Sequence, residues 1–400
     1  MIVKKVRAKV IDNSRKEKTL KVIIKTSNGN YEASAPSGAS TSSFEAVAFP
    51  LGAKKSADLI NKHSFKDIEI NSFEDLKKIE ALFNVNEIGG NGFIALEAAV
   101  LKALSKGKVW QFLDSKAKQV PRPLGNCIGG GKHIKGKAAC DFQEFLLFSL
   151  DAPRVNSAIL ANTELYEFMG KKLNSWDETF HKEITDEGAW SPNLSNLEIL
   201  DALFNAVEKI NARIDFKVSI GIDVAASSFF DGKHYVYKNF SRDEKEKKLT
   251  KKEHLALLEM IVKKYKVAYL EDPVEENDFD GFAQLTKKVG KMCLIVGDDL
   301  TATHPERLAK AIKGKCINAT IIKPNQAGSY LKMREAILLA QKNNIHCIMS
   351  HRSGETNDNI LSDLAVGFHC PLIKCGIFGA ERVAKLERVK AIENEIRALK

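Results

Sequence analysis

From Lys217 to Gly376 the chain repeats one arrangement of apolar and polar positions. Short, β-branched, nearly continuous apolar runs close on a residue fit for chemistry: VSIGID on Asp223, VAYLED on Glu271, CLIVGDD on Asp298, NATIIK on Lys323, IHCIMSH on His351 and PLIK on Lys374. After the first gap the spacing stays near the ~30 residues of a strand, helix and strand unit. Such runs are strands buried on both faces in a parallel sheet, and amphipathic helical stretches follow most of them. The pattern predicts an α/β protein built on a β/α barrel. Active groups of such barrels gather at the C-terminal ends of the strands, so three carboxylates, two lysines and a histidine should converge on one mouth.

The first third of the chain reads differently. Val3 to Ile11 and Thr19 to Thr26 alternate as strands, and the Asn28-Gly29 turn leads to a third strand at Tyr31 to Ala35. Helical spacing follows at Ser56 to Lys62, Ser72 to Phe83 and Gly92 to Leu104. This predicts an N-terminal α+β domain, a three-stranded meander with helices, over residues 1–135, and a catalytic barrel over 136–400. Between strand and helices, residues 36–43 (PSGASTSS) are small and polar, which suits either an ordinary linker or a lid. Pro121 to Pro123 and Gly129 to Gly131 mark the crossing to the barrel. The glycines lack the strand, GxGxxG and helix context of a dinucleotide site, and the lysine and hydroxyl of a P-loop. They let the backbone approach something closely while carrying His133. Two early barrel strands are expected at Asp141 to Phe148 and near Ile184, before a helix from Asn196 to Ala212. Glu144, inside an apolar strand, must have partners, because an unpaired buried carboxylate costs several kcal/mol.

Length and composition fit two units. The 400 residues exceed the ~250 of a plain barrel. Apolar content of 44% and charged content of 28% are ordinary for globular domains. No run reaches the ~20 apolar residues of a membrane span, and the start lacks a signal peptide's apolar centre, so a cytoplasmic protein without membrane contact is expected. The seven cysteines form no CxxC pair, which favours free buried thiols. The net charge of +10 raises nucleic acid as a partner. Its densest run, Arg242 to Lys252, mixes in acids, precedes a capping box at Thr250 and Glu253, and carries no aromatic interleaving. No nucleic-acid partner is expected; the surplus suits an anionic small substrate.

Asp223, Glu271 and Asp298 supply three hard oxygen ligands of the kind Mg²⁺ prefers. One strand-end aspartate commonly caps the next helix; three in succession point to a metal. Lys323 and Lys374, each closing an apolar strand beside that metal, should have their charged forms disfavoured by burial and by the cation, and such a lysine can act as a base.

The motifs PSGAST (36–41), FQEF (142–145), DEG (186–188), DVAAS (223–227), EDP (271–273), GDDLTATHPER (297–307), KPNQAGS (323–329), SHRSGET (350–356) and ERVAK (381–385) resemble the enolase (phosphopyruvate hydratase) family over essentially the full length. The resemblance implies a Mg²⁺-dependent lyase that reversibly dehydrates 2-phosphoglycerate to phosphoenolpyruvate, with two ions per site, on a barrel that opens with two strands and two helices. Carried over residue by residue, Asp223, Glu271 and Asp298 hold the tighter ion, and Ser40, on a mobile loop, closes onto the second. Lys323 removes the C2 proton and Glu187 assists departure of the 3-hydroxyl through an ene-diolate. Lys374 grips the carboxylate, Arg352 and Ser353 the phosphate, while Gln143, Glu144, His133 and His351 line the pocket. The family is commonly dimeric and in some members octameric, so a homo-oligomer is implied.

Three departures stand out. Residues 13–19 (NSRKEKT) keep the arginine of the family's DSRGNPT but lose its Gly-Asn-Pro turn, Ser42 replaces a glycine, and DEGG has become Asp186-Glu187-Gly188-Ala189-Trp190. Two other readings stand beside enolase chemistry: proton abstraction from a carboxylate lacking phosphate, and a non-catalytic binding protein on the same scaffold. Arg352 in SHRSGET speaks for phosphate, and retention of every expected acid, base and ligand speaks for catalysis.

Overall fold

The computed structural model describes residues 1, 3–38, 42–65, 68–131 and 140–399. Ser40 and His133 lie outside the described residues. The N-terminal strands β1 (Val3–Asp12), β2 (Lys18–Thr26) and β3 (Gly29–Ser34) form an antiparallel sheet in that order. Alternation decides its inner face: Leu20, Val22 and Ile24 on β2 are all buried, and β2 and β3 pack on a helix at Val85–Leu104. That helix begins about two turns before the expected Gly92, capped by the Asn84 side chain, which accepts from the Asn86 amide. It kinks at Gly89 (φ 73°), where a Cβ would sit 2.2 Å from the Ala48 carbonyl oxygen, so only glycine fits. The helix expected over Ser72 to Phe83 shrinks to Leu76–Glu80, because Asp75 draws the amides of Asn71 and Ser72 into a turn. The β1–β2 turn survives loss of its glycine. Asn13 Oδ1 accepts from the Arg15 and Glu17 amides, and Lys16 takes the left-handed conformation at φ 61°, which costs a side-chain-bearing residue about 1–2 kcal/mol.

The remaining strands are β4 (Arg122–Gly129), β5 (Glu144–Phe148), β6 (Ser219–Asp223), the side hairpin β7 (Tyr235–Tyr237) and β8 (Lys247–Leu249), then β9 (Tyr269–Glu271), β10 (Leu294–Gly297), β11 (Ala319–Ile322), β12 (His346–Ser350) and β13 (Leu372–Lys374). Eight of them close a barrel in the order β10-β11-β12-β13-β4-β5-β6-β9. Its interior is filled by Leu124, Leu146, Phe148, Tyr269, Val296, Ile321, Ile348 and Leu372. β5 runs antiparallel to both neighbours, and two helices, Val155–Trp176 and Asn196–Asn211, separate it from β6. The barrel therefore opens with two strands and two helices.

One expected strand is corrected. Residue Ile184 makes only an isolated bridge to Trp190, and the barrel's first strand is β4, ahead of residue 136. Its prolines and glycines disguise it. Pro123 costs no ladder bond because β5 pairing begins at Gly125, while the neighbouring Arg122 amide bonds the Pro371 carbonyl. The triple glycine admits the chain's own backbone: a Cβ at Gly130 would meet the Cys140 sulfur at 2.2 Å, and the Gly130 and Gly131 amides bond the carbonyls of Gln143 and Cys140. All seven cysteines are buried and free, and the capping box of Thr250 and Glu253 is formed on the helix Lys251–Lys264.

Candidate active site

Strand register brings the acids together. Glu144 pairs with Asp223, and Asp223 with Glu271, so three adjacent strands present carboxylates at one level; Asp298 follows two residues after Val296, the partner of Glu271. Glu144 reaches that mouth because β5 is reversed, which places its first residue beside the last residues of its neighbours. Lys374 closes β13 level with Ser350. Gln143, Glu144, Glu187, Asp223, Asp298, Lys323, His351, Arg352, Ser353 and Lys374 all line one cleft of about 620 Å³ counting its mouth. Glu271, fully buried, joins it through Lys374.

The Lys374 ammonium lies 3.1 Å from Asp223 Oδ2, 2.8 Å from Glu271 Oε2 and 2.9 Å from Glu144 Oε2, the last an ion pair without hydrogen-bond alignment. Tyr269 donates its hydroxyl to Glu271, and Gln143 Nε2 donates to Asp223 Oδ2 at 3.1 Å. Lys323 is paired to Asp298 Oδ2, whose other oxygen accepts from Gln326 Nε2 at 3.0 Å. Burial disfavours both ammonium groups, as expected. The carboxylates outweigh it: Lys374 stays well above the usual lysine range beside Asp223, Glu144 and Glu271, and Lys323 is raised by Asp298. Of the two influences expected to disfavour the charged lysines, burial is present at both, and the neighbouring carboxylates act against it.

The acids feel the opposite balance. Burial first and Asp223 second push Glu271 up to about 8, and burial with Asp298 pushes Asp299 to about 7. Burial also raises Glu144 and Asp272 well above the carboxylate range, Asp272 further through Asp299 and Asp298. Asp298 is lowered, since Lys323 and Lys374 overcome its burial. The cleft is thus short of positive charge, and its acidic donors are hard oxygens; residues of this kind fit a divalent cation such as Mg²⁺. Among the described residues, Asp272, Asp298 and Asp299 form a group of three carboxylates whose oxygens all lie within 4.8 Å of one another. Asp272 and Asp299 were absent from the expected set. Asp272 serves as a brace, accepting the amides of Asp298 at 2.9 Å and Asp299 at 2.7 Å.

On the other side of the cleft, Glu187 stands on a tight loop. The Thr185 hydroxyl accepts from the Glu187 and Ala189 amides, and Gly188 has φ 79°. Its Oε2 accepts from Asn126 Nδ2 at 3.4 Å and meets His351 Nε2 at 3.5 Å. Burial lowers the His351 pKa, with Glu187 working against it. Glu144 is in contact with Glu187, which adds to burial in opposing ionisation of Glu144. The loop after β12 is clamped from the last helix, Ala380–Ala398: Arg382 Nη2 donates to the Ser353 carbonyl at 2.7 Å, and Lys385 pairs with Glu355 at 2.8 Å. Glu355 in turn accepts the Arg352 and Thr356 amides. These contacts join the ERVAK and SHRSGET segments.

The profile of the enolase C-terminal TIM barrel domain matches residues 117–399. Over nearly its whole length the chain is similar to curated enolases: 38% identical to that of Methanosphaera stadtmanae across 99% of this chain and 97% of the relative, and 38% to that of Methanothermobacter thermautotrophicus across the same shares. The enolase of Archaeoglobus fulgidus is 35% identical across 98% of this chain and 97% of its own. The chain belongs to the enolase family of phosphopyruvate hydratases. The departures from the enolase pattern are absorbed locally. Ser42 donates its hydroxyl to Glu276 at 3.3 Å, and Ala189 is fully buried. Trp190 stacks on Tyr166 at 4.6 Å and donates its indole N–H to the Tyr166 carbonyl, filling space left by Gly170, where a Cβ would lie 2.5 Å from the indole ring. The enolase motif at Pro36-Ser37-Gly38 is anchored by a reciprocal backbone bridge between Ser37 and Gly354 at 2.8 Å.

Proposed function

We propose that this chain reversibly dehydrates 2-phosphoglycerate to phosphoenolpyruvate in glycolysis and gluconeogenesis, using two Mg²⁺ ions. The reading is carried by one observation: a lysine paired to a strand-end carboxylate, Lys323 with Asp298, shares a cleft with the separate acid cluster of Glu187, Glu144 and His351. Asp223, Glu271 and Asp298 would hold one ion, with Ser40 reaching the second. When bound, Mg²⁺ supplies neutralisation of the charge that builds on the substrate carboxylate as the C2 proton leaves.

The chain's own groups do the rest. Asp298 cannot neutralise Lys323 and serve as a ligand at full strength together. As its carboxylate is engaged elsewhere, burial is left to act on Lys323 and favours the neutral amine that takes the C2 proton. Glu187, buried against Glu144 and His351, delivers a proton to the departing 3-hydroxyl. Lys374 binds the carboxylate, and the planar fork of Arg352, with Ser353, binds the phosphate. The loop at 36–43 acts as a lid. We place the chain in the cytoplasm as a homodimer or higher homo-oligomer; its free buried thiols agree with a reducing compartment, and no helix among the described residues is long and apolar enough to cross a membrane.

The test is phosphoenolpyruvate formation from 2-phosphoglycerate, followed by coupled absorbance with Mg²⁺ and again with a chelator. Turnover that needs the metal is expected. No turnover with Mg²⁺, alongside α-proton exchange into an unphosphorylated carboxylate, would replace this substrate.

A further inference from the structure

Glu45 lies just beyond the small-residue loop, in no motif that identified the site, and its side chain is almost wholly buried. Its carboxylate makes a two-pronged pair with Arg352: Nη1 to Oε2 at 2.9 Å and Nη2 to Oε1 at 3.1 Å, while Asn325 Oδ1 accepts from Nη1 at 3.0 Å. A fork of this kind fixes the plane of the guanidinium, which a single contact leaves free to turn. Glu45 Oε1 also accepts from the Ser42 amide at 3.3 Å and from Gln326 Nε2 at 3.2 Å.

Gln326 is the junction. The same amide nitrogen donates to Asp298 Oδ1 at 3.0 Å, so one side chain bridges two carboxylates, and its Oε1 accepts from the Thr303 hydroxyl at 2.9 Å. Thr303 in turn accepts the Lys323 amide at 2.9 Å. Residues buried this deeply in a chain of hydrogen bonds have few other geometries available, and displacement of one member is felt by the next.

We propose that Glu45 is a positioning residue: it aims Arg352 at the substrate phosphate and, through Gln326, couples the end of the loop at Ser42 to the metal carboxylate Asp298. This rests on the assignment of Arg352 to the phosphate. Its consequence is that the order of Ser42 to Glu45, phosphate binding and metal affinity move together. A substrate without the phosphate cannot draw on this network, which makes the Arg352–Glu45–Gln326 chain a device for selecting phosphorylated carboxylates.

The experiment uses E45Q, close in shape but uncharged, Q326M, and the double variant in the full chain. Three quantities are read: kcat and KM for 2-phosphoglycerate, Mg²⁺ affinity by calorimetry without substrate, and amide exchange over residues 42–45. E45Q should raise KM by at least about tenfold with a smaller change in kcat. Each single variant should weaken Mg²⁺ by about 10–100-fold, the usual scale for a group that orients a ligand from behind. The two losses should be non-additive, the double variant lying near the worse single one. Protection of 42–45 by substrate with Mg²⁺ should vanish in E45Q. A circular-dichroism melt checks that each variant folds; if E45Q does not, Q326M alone must still lower Mg²⁺ affinity and loop protection together. Unchanged Mg²⁺ affinity in Q326M, or additive losses in the double variant, overturns the coupling. R352Q separates this from the parent reading: if it leaves KM unchanged, the phosphate assignment fails. If R352Q raises KM while E45Q does not, Glu45 alone has been misjudged.

Discussion

Replacing Asp272 with asparagine tests whether the acidic mouth is braced from behind. Asp272 is buried with φ 39°, and each of its oxygens takes one backbone amide of the Asp298–Asp299 turn, at 2.9 and 2.7 Å. Asparagine tolerates that backbone conformation, so the fold should persist. The substitution keeps one acceptor and turns an amide nitrogen toward the other N–H. Loss of one hydrogen bond to a charged group costs about 1.5–3 kcal/mol, and the buried donor left without a partner about 1–3 kcal/mol more. Against this, the Asp272 charge is itself opposed by burial and by Asp299 and Asp298, so removing it returns part of the loss. A net destabilisation of about 1–3 kcal/mol follows, read as a shift of the urea midpoint with an unchanged slope. The larger effect falls on function. With the turn loosened, Asp298 and Asp299 no longer sit at fixed positions, and Mg²⁺ affinity by calorimetry should drop about 10–100-fold. Asp272→Ala, lacking both acceptors, should lose more on each measure. Unchanged Mg²⁺ binding in Asp272→Asn, with the urea midpoint also unmoved, would show that the turn holds itself and that the brace is incidental.

Asp298→Asn should weaken Mg²⁺ by more than tenfold and abolish turnover at ordinary Mg²⁺, with the circular-dichroism spectrum retained; intact binding by calorimetry would return Asp298 to a structural role. Lys323→Ala should lose both product and exchange of the C2 proton in deuterated buffer, whereas Glu187→Gln should lose product and keep exchange, and NMR showing the opposite pattern would reverse the two assignments. His254 carries a pH dependence. Burial lowers it from 6.5 to about 4, in a cage where it meets the Tyr237 hydroxyl at 2.8 Å and the Pro273 carbonyl at 2.7 Å, stacked on Tyr235. Because the unfolded chain takes the proton first, this stability is complete above pH 6.5 and is lost as pH falls toward 4, about 3 kcal/mol in all. Urea titrations of the wild type and His254→Gln across that interval should show the steeper slope in the wild type; equal slopes would remove the group from the account.

Much of this protein was legible in its chain order. Runs of β-branched residues ending at Asp223, Glu271, Asp298, Lys323, His351 and Lys374 state their own burial and their own ends, because a strand buried on both faces can only be apolar until it leaves the sheet. The capped helix after Thr250 is equally local, written in backbone preference and side-chain reach. Pairing is not local. Nothing in Arg122 to Gly129 marks a barrel strand, since its prolines and glycines are tolerated only where its neighbours leave a gap. Nothing in Glu144 to Phe148 says that the strand runs backward, although that reversal sets Glu144 level with Asp223. The braces, Asp272 behind the turn, Glu45 behind Arg352 and Gln326 between two carboxylates, have sequences like any polar residue. Charge state was the furthest from the chain order: Lys374 stands 151 residues from Asp223 and within 3.1 Å of it. Its proton is held by the sum of carboxylates that folding places around it, a quantity that exists only once the barrel has closed.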